Sequence, residues 1–151
     1  MGATVKRITR IGIEGLRFES IHYTPDSPRS QLHGHTFKVD IVVEGEPDSN
    51  GMIVDFRQLR KIVESIIAEW DQAVIIPLKD KEHIKISGPF NVKHVLIPFN
   101  TATTENIACT LLEKLLNRLK REDDVYPRLH SVLVRVWESY DRYAECIEEL
   151  K

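Results

Sequence analysis

His33-Gly34-His35 sets two imidazoles two residues apart. On a β-strand, side chains at that spacing point to one face, so both rings can reach a single ion. Gly34 leaves the opposite face bare and lets another backbone or helix approach closely. His22 ends the preceding predicted strand, and a connection over residues 23–32 is long enough to fold it back antiparallel beside the pair. Three neutral nitrogens with an open fourth position are the catalytic type of zinc site, whereas a structural site is closed by four protein ligands. The competing account is that one histidine caps a turn while the others are surface or core imidazoles. His83, His94 and His130 lack the spacing and read as ordinary polar or partly exposed residues. Cys109 and Cys146, the only cysteines, lie far apart with no partner motif. Neither a disulfide framework nor a thiolate zinc site is expected, so a metal would rely on nitrogen and oxygen ligands.

The elements that must position these groups follow from periodicity. Between Val5 and Tyr23, β-branched and aromatic residues mix with polar ones, with Gly12 and Gly15 as bend points, which predicts one or two strands ending near His22. Residues 24–30 (Thr-Pro-Asp-Ser-Pro-Arg-Ser) are turn formers and predict a loop. Residues 32–44 alternate, with Phe37, Val39, Ile41 and Val43 on one side, and predict a half-buried strand paired with the first. Asn50-Gly51 marks a turn, and Asp55 stands at a helix N-cap. Phe56, Leu59, Val63, Ile66, Ile67 and Trp70 then form one buried helical face. Residues 83–87 and 92–97 are β-rich around Gly88-Pro89 and predict a hairpin or an extended loop. Thr103 or Thr104 caps a second helix to about Arg121, with a stripe of Ile107, Ala108, Leu111, Leu112, Leu115, Leu116 and Leu119. From His130, Val132, Val134 and Val136 alternate along a strand, and residues 142–147 form another after the Ser139-Tyr140-Asp141 turn. The order β-β-α-(β-β)-α-β-β suggests an α+β antiparallel sheet backed by two helices.

With 151 residues and 42% hydrophobic content, the chain fits a single domain over residues 1–151. Such a domain buries about two thirds of its unfolded surface. A net charge of -2, from 21 basic and 23 acidic residues spread along the chain, offers no footprint for a phosphate backbone, so nucleic acid is not an expected partner. No run reaches the roughly 18 apolar residues of a membrane span, and the N-terminal residues lack a signal-peptide apolar run. No membrane partner and a cytoplasmic location are therefore expected.

Five motifs occur in order: Phe18-Glu19-Ser20-Ile21-His22, Leu32-His33-Gly34-His35, Gly51-Met52-Ile53-Val54-Asp55-Phe56, Thr103-Thr104-Glu105-Asn106-Ile107-Ala108 and Val136-Trp137-Glu138. The set resembles the 6-pyruvoyl-tetrahydropterin synthase family, which includes 6-carboxy-tetrahydropterin synthase, from about residue 16 to residue 146. The resemblance implies a tunnelling fold, with a four-stranded antiparallel sheet and two helices packed on one face, assembled as a homo-oligomeric trimer or hexamer with sites between subunits. It implies Zn2+ on His22, His33 and His35, and a small-molecule pterin substrate held by Glu138 with Thr104 and Glu105 lining the pocket. A carboxylate suits a pterin because it accepts an exocyclic amine and a ring N–H side by side. Without the motif, Glu138 reads as an exposed strand residue, and Thr104-Glu105 as an N-cap beside a first-turn acid that meets the helix dipole. The segment 51–56 is assigned to the fold alone.

Synthases of this family use a cysteine three residues before the Leu-His-Gly-His run as base, in a relay with an Asp-His pair after the first helix. Here those positions read Arg29 and Asp71-Gln72, so both the thiolate and its imidazole partner are absent. Arg29 cannot serve as a base. Cys109 and Cys146 read as buried small residues rather than relocated nucleophiles. The expected catalytic groups are Asp26, Asp71 and Glu138. The expected activity is that of a zinc-dependent carbon–oxygen lyase acting on the side chain of 7,8-dihydroneopterin or its triphosphate. The alternatives are aldolase-like release of glycolaldehyde (or its phosphate) to leave 6-hydroxymethyl-dihydropterin, and a non-catalytic pterin-binding paralogue.

Overall fold

The computed structural model describes residues 5–25 and 30–151. Strand β1 (Arg10–His22) runs antiparallel to β2 (His33–Gly45). Helix α1 (Phe56–Ala68) follows, then β3 (Ala73–Pro77), a 3-10 turn (Leu78–His83), β4 (Lys93–Ile97) and helix α2 (Thr104–Leu119). A second 3-10 turn (Tyr126–Arg128) leads into β5 (Leu129–Ser139) and β6 (Arg142–Glu149).

Among the described residues the strands form one six-stranded mixed sheet in the order β4-β3-β1-β2-β5-β6. The expected four antiparallel strands are β1, β2, β5 and β6, but the sheet is not limited to them. Beside β1, strands β3 and β4 add two parallel pairings, Ser20 opposite Ala73 and Ala73 opposite Lys93 among them. Of the two alternatives expected around Gly88-Pro89, the extended loop is found: residues 84–92 lie outside helix and strand, β4 falls within the β-rich 92–97 segment, and its partner is β3, in parallel, a strand the periodicity does not predict. The physical reason lies in β3. Ala73, Val74, Ile75, Ile76 and Pro77 are all buried, so the strand shows no alternation to mark it.

Each helix begins where its capping chemistry lies. The Asp55 carboxylate accepts from the Arg57 N–H at 2.7 Å, and the Thr103 hydroxyl accepts from the Asn106 N–H at 3.3 Å. Leu59, Ile62, Val63 and Ile67 of α1 and the Ile107-to-Leu119 stripe of α2 share one core with Phe18, Phe37, Val39, Ile41, Val132, Val134 and Val136 of the sheet. At about 1.5–3 kcal/mol for each large apolar side chain removed from water, that face is the main source of stability. Phe18 and Phe37 stack at 4.9 Å, with Trp70 set edge-on to Phe18 at 6.0 Å. Midway along β1 the register shifts between Ile13 and Leu16 at a β-bulge, where Gly15 takes a φ of 80°. The Gly15 N–H donates to Asp40 Oδ1 at 3.0 Å, and the other oxygen of that buried carboxylate accepts from the Trp137 indole at 2.7 Å.

Candidate metal centre and adjoining pocket

Beyond Phe18 and Phe37, the core-facing row of β1 and β2 turns polar. Ser20 stands opposite His35, and His22 opposite His33. Three imidazoles therefore continue the stacked aromatic row toward the start of α2, with ring centroids 4.6, 5.1 and 4.7 Å apart. One ligand atom from each of His22, His33 and His35 lies within 4.8 Å of the others.

Backbone carbonyls orient two of the rings. His22, fully buried, places Nδ1 2.8 Å from the Ala102 carbonyl, and His33 places Nδ1 2.7 Å from that of Gln31. A carbonyl oxygen only accepts, so in each ring Nδ1 carries the proton and Nε2 presents a lone pair. His22 Nε2 and His35 Nε2 are buried without a hydrogen-bond partner. Buried polar atoms are seldom left unpaired, because desolvation without compensation costs about 1–3 kcal/mol. Burial lowers the His22 pKa, with His33 and His35 adding to the shift and the Ala102 hydrogen bond opposing it. Burial also lowers that of His35, opposed by Glu138 and assisted by His33 and Arg142. Convergent neutral nitrogens with free lone pairs are the donor set zinc takes, so the residues present fit that metal.

Glu138, near the end of β5, borders this cluster. Its Oε1 lies 3.8 Å from His35 Nε2, and its Oε2 accepts from the Thr104 hydroxyl at 2.6 Å. Because Thr103 caps α2, the Thr104 side chain is free to turn toward the carboxylate. Thr104, Glu105 and Glu138 line a pocket of about 420 Å³ together with Arg142 and Tyr143. Neither Arg142 nor Tyr143 carries a sequence signal for this place. The same holds for the Ala102 and Gln31 carbonyls, since backbone acceptors leave no trace in residue type.

Asp71 lies elsewhere. Its Oδ1 accepts from the Glu19 N–H at 2.8 Å, and the next residue, Gln72, adopts a φ of 55° while its N–H donates to the Glu19 carbonyl at 2.6 Å. The structure thus brings His22, His33, His35, Thr104, Glu105 and Glu138 together and sets Asp71 against the backbone of β1. A cleft of about 630 Å³ runs from Gln72 past Glu19 and Ser20 to His35. Asp26 and Arg29 lie outside the described residues. Next to His22, the Tyr23 hydroxyl donates to Asp80 at 2.5 Å, and burial together with that carboxylate raises its pKa.

Residues 13–149 match the family model described as 6-pyruvoyl tetrahydropterin synthase. Among curated relatives, the chain is 30% identical over 128 residues to a 6-carboxy-5,6,7,8-tetrahydropterin synthase from Haemophilus influenzae, covering 80% of this chain and 84% of that protein. It is 29% identical over 102 residues to a dihydroneopterin monophosphate aldolase from Pyrococcus furiosus, covering 68% and 71%. The crystal structure of 6-pyruvoyl tetrahydropterin synthase from Plasmodium vivax superposes with a TM-score of 0.80 at 21% identity, over 96% of this chain and all of that one.

Proposed function

The chain belongs to the 6-pyruvoyl tetrahydropterin synthase family of pterin-processing lyases, and from that premise we propose that it is a zinc-dependent lyase acting on the side chain of a 7,8-dihydroneopterin phosphate. The observation that carries the proposal is the pair of buried, unpartnered Nε2 atoms of His22 and His35 beside the carboxylate of Glu138.

Zinc held by His22, His33 and His35 would supply Lewis-acid polarisation of the substrate's side-chain hydroxyls, lowering their pKa. The protein's own groups do the rest. Glu138 accepts the exocyclic amine and ring N–H of the pterin, an orientation that Thr104 braces through its bond to Oε2. Glu105 lines the same pocket from the first turn of α2. The Ala102 and Gln31 carbonyls keep His22 and His33 in the tautomer whose Nε2 faces inward. Asp26 and Asp71 are the proposed proton carriers, and the Glu19 N–H on Asp71 Oδ1 leaves Oδ2 as the atom that would take the proton.

The proposed reaction is the carbon–oxygen lyase step of the synthases, elimination of triphosphate from the side chain. A second reading, aldol cleavage to 6-hydroxymethyl-dihydropterin, is favoured by Arg29 and Gln72 at the positions of the thiol–imidazole relay and by the likeness to the aldolase. Cleavage of that kind starts from a hydroxyl proton and needs no thiolate. Incubating the zinc-loaded protein with 7,8-dihydroneopterin, its monophosphate and its triphosphate, followed by fluorescence detection of products, tests both. Elimination product from the triphosphate supports the first reading, and 6-hydroxymethyl-dihydropterin supports the second. Tight pterin binding with no product would identify a non-catalytic paralogue and overturn both.

A homo-oligomer, trimer or hexamer, is part of the same proposal. Strands β4 and β6 stand at the two ends of the sheet, where unpaired edge groups favour a partner. Light scattering on the purified protein tests it. No helix among the described residues is long and apolar enough to cross a membrane, and a cytoplasmic location is proposed with the rest.

A further inference from the structure

Cys109 and Cys146 stand far apart in sequence and next to each other in space. Cys109 lies on α2, and Cys146 lies on β6, where it pairs with Val134 and packs against the core. The two thiols meet where α2 packs on β6, near enough for each to affect the other's ionisation. Both thiols are free and half-buried, and both line one surface cleft of about 380 Å³ with Phe99, Leu116 and Lys120. We propose that this pair is a covalent modification site, a disulfide that clips α2 to β6 when a small-molecule disulfide oxidant enters the cleft.

The chemistry balances as thiol–disulfide exchange. The Cys109 thiolate attacks one sulfur of glutathione disulfide, breaking its S–S bond and releasing one glutathione as thiolate. The Cys146 sulfur then attacks Cys109 in the mixed disulfide, forming the Cys109–Cys146 bond and releasing the second glutathione. Two protein thiols lose two electrons and two protons; the oxidant gains both as two thiols. Burial, with the neighbouring Cys109, pushes the Cys146 thiol up to about 12. A thiol so rarely ionised is a poor first attacker and takes the second, intramolecular step.

The bond would join the two elements that wall the pocket beside the histidines, since Thr104 and Glu105 open α2 and Arg142 opens β6. The inference does not depend on which pterin reaction the protein performs.

The experiment treats the full-length protein with excess glutathione disulfide at alkaline pH, blocks remaining thiols with iodoacetamide and measures intact mass. The expected product carries no alkyl group and has lost two hydrogens, about 2 Da, in keeping with a two-electron oxidation. Its melting temperature should rise by about 5–10 °C and return on reduction. Cys109→Ser and Cys146→Ser should show neither change, each retaining one alkylatable or glutathionylated sulfur. Two alkylated cysteines after oxidation, arrest at the mixed disulfide, or a bond found only between chains would each overturn the proposal.

Discussion

His22 and His33 face each other directly across the β1–β2 ladder, and the ring of His35, one inward position further along β2, closes the triangle. Removing one corner by His33→Ala or His35→Ala should weaken zinc binding by at least about 100-fold, more than the loss typical of a supporting outer-shell group. Turnover should vanish while far-UV circular dichroism stays native. A variant that keeps one equivalent of zinc after dialysis would remove that histidine from the site.

Thr104→Val deletes a hydrogen bond to a charged acceptor, an interaction of about 1.5–3 kcal/mol. Pterin affinity should fall by about 10- to 100-fold, with zinc content unchanged, as read by fluorescence titration. Thr104→Ser should restore most of the affinity. Equal binding by wild type and the valine variant would separate Thr104 from substrate recognition.

Asp26→Asn and Asp71→Asn separate the two proposed proton carriers. An asparagine at 71 can still accept the Glu19 N–H, so the local fold survives while the base is lost. The variant lacking the true base should lose about 100- to 10,000-fold in kcat at unchanged zinc occupancy. An unaltered rate in either variant excludes that residue from proton transfer.

Asp55→Ala removes the cap of α1 and should cost about 1 kcal/mol. In a domain of this size the midpoint of thermal unfolding should drop by about 2–4 °C, without effect on zinc binding. No shift in a calorimetric scan would mean that another group satisfies the first-turn N–H donors.

Asp48 supplies a test in acid. Its carboxylate accepts from the Met52 N–H and, next, the Asn50 N–H, which together hold its pKa below the usual value against the opposing effect of desolvation. The unfolded chain therefore binds the proton more readily, so this contribution is present above the usual carboxylate value and is lost as pH falls through the folded one. Thermal melts of Asp48→Asn between about pH 5 and about pH 2 should show a shallower acid limb than wild type. Parallel limbs would refute the assignment.

Much of this was legible in residue order. His33-Gly34-His35 on an alternating strand, the capping aspartate before α1 and the leucine stripe of α2 each carry their period in the open, because one face of each element meets the core and the other meets water. Ala73–Pro77 is buried throughout and shows no such contrast, so β3 is absent from the expected order, whereas β4 falls within the β-rich 92–97 segment. The Ala102 carbonyl on His22 and the meeting of Cys109 with Cys146 are products of how α2 sits on the sheet. No local pattern encodes contacts of that range. Thr104 was ambiguous for another reason: two adjacent threonines could cap the helix, and only the backbone decides that Thr103 does so.

The bulge at Gly15 bears on how the gene can change. Ile13 is opposite Ile41 and Leu16 opposite Val39, so β1 takes three steps where β2 takes two. Before the bulge the core takes an odd-numbered side chain, Ile13; after it the even ones, Leu16, Phe18, Ser20 and His22. The two halves of one strand are thus out of phase, and Gly15 absorbs the difference. Deleting a single codon there would bring the halves into step and keep both sets inward. Adding one would restore the parity too, but with four steps against two it would leave two extra residues to loop out or slide His22 off His33, so natural length variation at this point should run toward shortening.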